Sequence, residues 1–334
     1  MVIAGSRVLV TGGLGFIGSH IVESLLQRGA AHVRILDNHR SGTEENVAHI
    51  RDQVELIPGD ILNLSDLRRA LTGVDWVSHM AAQLEITRAI DDPVEDLTTN
   101  TVGTLNLFRV CAELGVGRII QASSAGVYGQ AVAIPQREDE HPTEPNWAYG
   151  VSKLANEKYA AIMRLVHGLE ITSLRFGIVY GPREWYGRVL TIFLKRALDE
   201  QSLVVFGDGE QLRDFVFVQD VVDMHNLCAE SDDAKHEIFN VSSEIGVSIN
   251  DLADLVVEVT GRRSEIVHED VPEGGTSTLI ERRRLPQELK RLVQSREKAR
   301  RLVGWEPETS FANGLHQEWE WLQANPHRWT TMAY

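Results

Sequence analysis

The stretch Thr11-Gly12-Gly13-Leu14-Gly15-Phe16-Ile17-Gly18 narrows what this chain can become more than any other. It follows the apolar run Val8-Leu9-Val10 and leads into Ser19-His20-Ile21-Val22-Glu23-Ser24-Leu25-Leu26, which has helical spacing. A strand, a glycine turn and a helix start together make a seat for a pyrophosphate. Gly12 permits the tight turn, Gly15 lets backbone approach phosphate, and Gly18 lets the helix pack on the strand. The helix N-terminus adds free N–H groups and a partial positive charge. A second apolar run, Val33-Arg34-Ile35-Leu36, ends at Asp37-Asn38. An acid about 20 residues past the glycines is where a dinucleotide fold holds the adenosine ribose. Asp37 would accept from both ribose hydroxyls and repel a 2′-phosphate, which favours NAD over NADP; Arg40, close by in sequence, keeps NADP open.

The formal charge of −15 and the single basic block, Arg282-Arg283-Arg284, argue against nucleic acid as a partner. Phosphate recognition must then come from local arginines and backbone. Cys111 and Cys228 have no metal or redox spacing and suit buried thiols in a reducing cytosol, so no metal is expected. No apolar run is long enough for a membrane span, and the N-terminus lacks the pattern of a signal peptide. The expected setting is cytoplasmic.

Apolar runs at 7–10, 33–36, 54–58, 76–80, 118–122 and 170–176 alternate with helical patterns at 18–28, 65–71, 93–114 and 149–167. This alternation predicts an α/β fold, a Rossmann-type doubly wound parallel sheet with helices on both faces. After Gly181-Pro182 the pattern loosens. Helices are expected at 188–199, 221–230 and 249–260, with one ending near Gly304 and one over 311–324. Strands are expected at 203–206, 215–218 and 238–241. The expected division is a cofactor-binding domain over 1–180, with 214–243 returning to it, and a smaller interleaved substrate-binding lobe from 181–213 and 244–334. Residues 271–284, with Pro, Gly and Thr, read as a mobile loop.

Ser123-Ser124 lie at the C-terminal end of the strand at 118–122, where open α/β sheets bind ligands. Downstream, Tyr149 and Lys153 stand four apart on a helix and share a face. A lysine cation beside a phenol is expected to lower its pKa toward a usable base. Ser124 can hold the substrate oxygen while the proton moves.

At these residues the chain resembles the extended short-chain dehydrogenase/reductase superfamily, and within it the NAD-dependent nucleotide-sugar epimerases of the UDP-glucose/galactose 4-epimerase type. The likeness runs through Thr11–Gly18, Asp37-Asn38, Gly59-Asp60-Ile61, His79-Met80-Ala81-Ala82-Gln83 and Asn100-Thr101-Val102-Gly103-Thr104. It continues through Ser123-Ser124-Ala125-Gly126-Val127-Tyr128-Gly129, Tyr149 with Lys153, Leu174-Arg175-Phe176, Val179-Tyr180-Gly181-Pro182-Arg183, Phe206-Gly207-Asp208-Gly209 and Arg213-Asp214-Phe215. The tail Lys298–Trp305 belongs to the same pattern.

The resemblance implies that Gly12, Gly15, Phe16, Ile17, Asp37, Asn38, Ser41, Gly42, Ser123 and Phe176 contact NAD. Asp60 and Ile61 would flank the adenine, Ala81, Ala82 and Gln83 the nicotinamide half, and Asn100 the wall of the cofactor site. Ser124 would assist catalysis, Tyr149 act as base, and Lys153 bind the nicotinamide ribose. Arg213 would meet the substrate diphosphate. A UDP-sugar is the implied substrate, and a homodimer through the helices at 93–114 and 149–167 the implied assembly.

The chain also departs from its relatives. Ile178 stands where many carry a phosphate-binding asparagine. Ala125-Gly126 follow Ser124 without the acid that dehydratases use to protonate a leaving hydroxyl. Glu85 is placed to read a sugar hydroxyl. In the shortened loop Trp185-Tyr186-Gly187-Arg188, Arg188 is placed to hold a phosphate or a sugar carboxylate. The implied reaction is epimerisation at C4 through a 4-keto sugar, on UDP-glucose/galactose or a UDP-hexuronate. A reductase, a decarboxylase, an epimerase at another carbon and a non-enzymatic NAD-binding protein stay open, the intact Ser124, Tyr149 and Lys153 weighing against the last.

Overall fold

The computed structural model describes residues 2–139, 143–184 and 186–331; Trp185 of the shortened loop lies outside them. The chain runs β1 (Arg7–Thr11), α1 (Phe16–Gln27), β2 (His32–Asp37), β3 (Val54–Pro58), α2 (Leu64–Leu71), β4 (Trp76–His79), α3 (Ile86–Asp91) and α4 (Pro93–Asp96). A π-helical segment, Leu97–Val102, joins α4 to α5 (Gly103–Leu114). Then come β5 (Arg118–Ser124), α6 (Ala148–His167), β6 (Glu170–Phe176), β7 (Ile178–Tyr180), α7 (Val189–Leu198), β8 (Leu203–Phe206), β9 (Leu212–Phe217), α8 (Val218–Glu230) and β10 (Ile238–Val241). The last elements are β11 (Gly246–Ser248), α9 (Ile249–Thr260), β12 (Ile266–Glu269), β13 (Arg291–Leu292), α10 (Glu297–Val303) and α11 (Phe311–Ala324).

Seven strands form one parallel sheet in the order β10-β6-β5-β4-β1-β2-β3. This is the Rossmann-type α/β architecture the sequence predicts. The strands are apolar on both faces because both faces are covered. Val8 and Val10 of β1 join a core with Ile21, Val22 and Leu25 of α1 and Val221 and Val222 of α8. Leu9, between them, joins the opposite core with Leu67 of α2 and Leu107 and Phe108 of α5. Each fully buried aliphatic side chain contributes about 1.5–3 kcal/mol. Cys111 and Cys228 are buried free thiols, one in each core.

Beyond Tyr180 the chain builds smaller sheets. β9 pairs with β7, β11 and β13, and β8 pairs with β12. Between them α8 and β10 return to the large sheet, where β10 closes its edge against β6.

Several expectations need correction. The helix at 93–114 is one rod only in outline, because the π segment widens it at Asn100, whose side chain reaches out to backbone of the β4–α3 loop. α8 begins at Val218, directly after β9, rather than at 221. The segment at 271–284 is strapped down rather than loose. Glu269 accepts from Ser277 Oγ at 2.5 Å and Thr278 N at 2.8 Å, and Arg284 donates to the Val271 carbonyl at 2.7 Å. Such bonds are absent from any reading by local composition, since they join residues 8 to 13 apart in irregular backbone.

Candidate active site

A cavity of about 460 Å³ opens along the C-terminal edge of the seven-stranded sheet and continues under the smaller sheets. This edge is where open α/β sheets bind ligands. Gly12, Gly15, Phe16, Ile17, Asp37, Asn38, Ser41, Asp60 and Ile61 line one end. Ala81, Ala82, Gln83, Ser123, Ser124, Tyr149, Lys153 and Phe176 line the middle, and Arg188 and Arg213 line the part beneath the smaller sheets. Gly42, Glu85 and Asn100 are not in the lining.

The glycine turn fits a close-lying pyrophosphate. A Cβ at Gly12, which sits at φ 69°, would lie 2.7 Å from Ala81 N. A Cβ on Gly18 would lie 2.1 Å from the Gly12 carbonyl oxygen, so helix and turn touch through bare backbone. α1 starts at Phe16 with Gly15 as N-cap, no side-chain cap and no acid in its first turn, leaving its N–H groups aimed at the cavity end. Asp37 is 7 % exposed; its Oδ2 accepts from Leu14 N at 3.1 Å and its Oδ1 from His39 N at 2.9 Å. Burial raises the Asp37 pKa, and these N–H donors hold it down. Gly42 stands beneath this carboxylate, where a Cβ would come within 3.1 Å of Oδ2. Asn38 donates to Asp60 Oδ2 at 2.9 Å, and Asp60 Oδ1 accepts from Leu62 N at 2.8 Å, so the β2 and β3 ends share one rim.

Asn100 stands behind the wall rather than in it. It is 1 % exposed, and its amide accepts from Gln83 N and donates to Gln83 O, each at 2.8 Å. Glu85 precedes α3 outside the lining, without a side-chain cap bond, its backbone N–H bonded to the Gln83 side chain.

In the middle of the cavity Ser124 Oγ accepts from Gly126 N at 3.1 Å, which fixes the hydroxyl at the strand end. Lys153 is 4 % exposed, and its Nζ donates to the Ala122 carbonyl at 2.9 Å, 5.6 Å from the Tyr149 ring centroid. Burial pulls the ammonium down to about 8, opposed by Asp96. Burial drives the Tyr149 phenol up, the Asp96 charge adds to this, and Arg188 opposes it. Desolvation is thus the largest influence on both groups, and it disfavours the charged form of each.

Under the smaller sheets, Arg213 and Arg284 converge on one carboxylate. Arg213 donates to Glu288 Oε1 at 2.8 Å and Arg284 to Glu288 Oε2 at 3.0 Å. Arg213 also donates to the Leu289 carbonyl at 2.8 Å. Arg188 donates to Glu184 at 2.8 Å and to the Val179 carbonyl at 2.7 Å; Glu184 is 3 % exposed, and burial pushes its pKa up. Ile178 lines the cavity and offers no side-chain donor.

Sequence reasoning missed Asp96, Glu184, Arg284 and Glu288. Arg284 had a signal, since it ends the only basic block. Asp96 had a weaker one, standing one helical turn before Asn100. Nothing local marks Glu184 or Glu288, whose partners are set by tertiary packing. Among the described residues no group of His, Cys, Asp or Glu is arranged to hold a metal, and no helix is long and apolar enough to cross a membrane.

Residues 8–242 match the NAD dependent epimerase/dehydratase family. A putative UDP-glucose 4-epimerase of Methanocaldococcus jannaschii is 35 % identical over 323 residues, covering 95 % of this chain and 99 % of that one. A UDP-N-acetyl-alpha-D-glucosaminuronate decarboxylase of Bacillus cytotoxicus is 30 % identical over 327 residues, covering 95 % and 98 %. The solved UDP-glucose 4-epimerase of Thermus thermophilus, a complex with NAD, superposes with a TM-score of 0.84 at 34 % identity, covering 95 % of this chain and 99 % of that one.

Proposed function

The chain belongs to the NAD dependent epimerase/dehydratase family, and from that premise we propose that it inverts C4 of a UDP-hexose through a 4-keto intermediate. The observation that carries this reading is the placement of Ser124, Tyr149 and Lys153 around one cavity with Ala125-Gly126, and no acid, after the serine.

The cofactor would be held by the uncapped start of α1, the Asp37 carboxylate, the Asn38–Asp60 rim and the Ala81–Gln83 wall, and Lys153 would bind its nicotinamide ribose. NAD, when bound, would supply a positive charge and would accept a hydride from C4 of the sugar and return it to the opposite face. That charge adds to Lys153 in favouring the phenolate, against the burial that otherwise opposes it. Tyr149 Oη would take the proton of the sugar 4-hydroxyl, and Ser124 Oγ would hold the same oxygen. Once the sugar has turned over in the cavity, Tyr149 would return the proton to the 4-oxygen. The net change is an isomerisation that consumes no cofactor.

Arg213 and Arg284 share the one carboxylate of Glu288 and keep a net positive charge, so with Ile178 unable to donate they are the proposed diphosphate contact. Arg188 is already neutralised by Glu184, which favours a neutral hexose over a hexuronate. The exposed apolar stripe of Val151, Tyr159, Ile162 and Val166 on α6, beside Val94, Leu97 and Val102, supports a homodimer through these helices. The buried free thiols support a cytoplasmic setting.

Incubation with UDP- and dTDP-hexoses and uronates, with NMR identification of products, tests the reading. The expected result is a C4-epimer of a neutral UDP-hexose with no net NADH. Released CO₂ or net NADH would mean a decarboxylase or a dehydrogenase instead.

A further inference from the structure

Arg40 stands three residues past Asp37, on the loop that leaves β2. An arginine so close to the ribose-binding acid suits a 2′-phosphate, because a guanidinium matches phosphate geometry and keeps its charge. Arg40 lines the same cavity end as Asp37, Asn38 and Ser41, and its backbone N–H donates to Asn38 Oδ1 at 3.1 Å. A guanidinium available there would offset the repulsion between Asp37 and a 2′-phosphate.

The fold commits this guanidinium elsewhere. Arg40 Nη2 donates to Glu95 Oε1 on α4, 55 residues away in sequence. Glu95 is half-buried and is itself held in place. Arg88 of α3 donates to it from Nε at 2.5 Å and from Nη2 at 3.0 Å, and the Glu95 N–H donates to Asp92 Oδ1 at 2.9 Å. An isolated exposed ion pair holds a long side chain weakly. A carboxylate already fixed by a bidentate guanidinium presents a preset partner, so Arg40 meets it with less loss of freedom. Hydrogen bonds from Arg88 and Arg40 hold the Glu95 carboxyl below its ordinary range, so it stays ionised. The helices α3 and α4 follow β4, and β1 lies between β4 and β2 in the sheet. The pair thus joins the β2 end to the far side of the β1 glycine turn. Asp37, three residues from Arg40, takes its own bonds from the N–H groups of Leu14 and His39.

We infer that Glu95 is a specificity-determining residue for the cofactor: it binds Arg40 and withholds that guanidinium from a ribose 2′-phosphate. Asp37 rejects the phosphate by charge, and Glu95, braced by Arg88, removes the cation that would undo the rejection. The inference rests on the cofactor seat and not on which sugar carbon reacts.

The experiment uses the full chain without nucleotide sugar. It is equilibrated with ¹⁴C-labelled NAD and rising NADP, and displacement of the label gives the ratio of the two Kd values. Wild type is expected to favour NAD. Glu95→Gln keeps the shape and removes the charge, and it should shift the ratio toward NADP by about tenfold, the size of one charge-assisted bond to phosphate. In an Arg40→Ala background the same substitution should shift the ratio by less than about twofold, since the change of field remains but the contact cannot form. An unmoved ratio in Glu95→Gln, an equal shift in both backgrounds, or a wild type that favours NADP overturns the proposal. Weaker NAD binding in Glu95→Gln with an unmoved ratio would make the pair a clasp over the cofactor instead. Wild type that takes up no label overturns the seat and the proposal together. If the shifts are found but no nucleotide sugar is epimerised, the functional reading fails and the role of Glu95 stands.

Discussion

Asn100 and Gln83 pair through two hydrogen bonds of 2.8 Å, a side-chain amide answering both the N–H and the carbonyl of one backbone residue. The loop after β4 thereby gains the kind of pairing a further strand would give it. The π segment is what brings Asn100 to that reach.

Asn100→Ala should therefore weaken NAD although Asn100 does not line the cavity. It leaves two buried backbone groups unpaired, at about 1–3 kcal/mol each. Calorimetric titration with NAD should show roughly a tenfold loss, with a lowered melting temperature. Unchanged affinity would mean that the wall stands without its strut.

Asp37→Ala should weaken NAD and relax discrimination against NADP, because the 2′-phosphate no longer meets a carboxylate. Parallel binding curves for the two cofactors check this. Wild-type binding of NADP as tight as NAD would contradict the placement of Asp37 at the ribose.

Tyr149→Phe should lose about 10²–10⁴-fold in turnover, the usual cost of removing a general base, while still binding NAD. Lys153→Ala should lose turnover and cofactor affinity together. Full activity in Tyr149→Phe would remove the mechanism.

Arg213→Ala should weaken UDP-sugar binding by roughly tenfold to a hundredfold, since a charge-assisted bond is worth about 1.5–3 kcal/mol. Arg188→Ala should affect UDP-glucuronate and UDP-glucose alike, because its guanidinium is held by Glu184. A selective loss of the uronate would revive a carboxylate contact at Arg188.

The buried histidines should cost stability as pH falls from 7 to 5. Burial holds His20 and His225 down to about 4 and His79 to about 3, from an unfolded value of 6.5. Depressed values mean that the folded state excludes the proton, so this contribution is complete above 6.5 and is lost as pH falls toward the folded values. Each such group weakens folding by about 2 kcal/mol at pH 5. Asp214, pushed up to about 6 by burial, works oppositely: its contribution is present below 3.8 and lost as pH rises through 6. Glu184 and Glu318, raised by burial, work in the same direction as Asp214, so the histidine share is read by comparison: between pH 7 and pH 5 the melting temperature of His225→Asn should change less unfavourably than that of wild type in calorimetric scans.

What could be read in advance followed local rules. Strands covered on both faces left apolar runs, and the glycine turn, Asp37 and the strand-end serines followed from spacing. The pairs Arg213–Glu288 and Arg188–Glu184 could not be read, since neither carboxylate differs in sequence from a solvated one. Tyr149 shows the same limit in energy: its helical spacing to Lys153 was legible, but the desolvation that governs both groups depends on the packed fold around them.

The return of β10 to the large sheet constrains how such a protein can change its specificity. Strands β7, β8 and β9 precede β10 in the chain but belong to the smaller sheets. A break after Tyr180 would strip the large sheet of an edge strand and of α8, which covers it. No single crossover between two related genes can therefore exchange the arginine-lined end of the cavity and leave the cofactor end whole. Point changes at positions such as Ile178, Arg188 and Arg213 alter that end while leaving the strand order of the large sheet untouched.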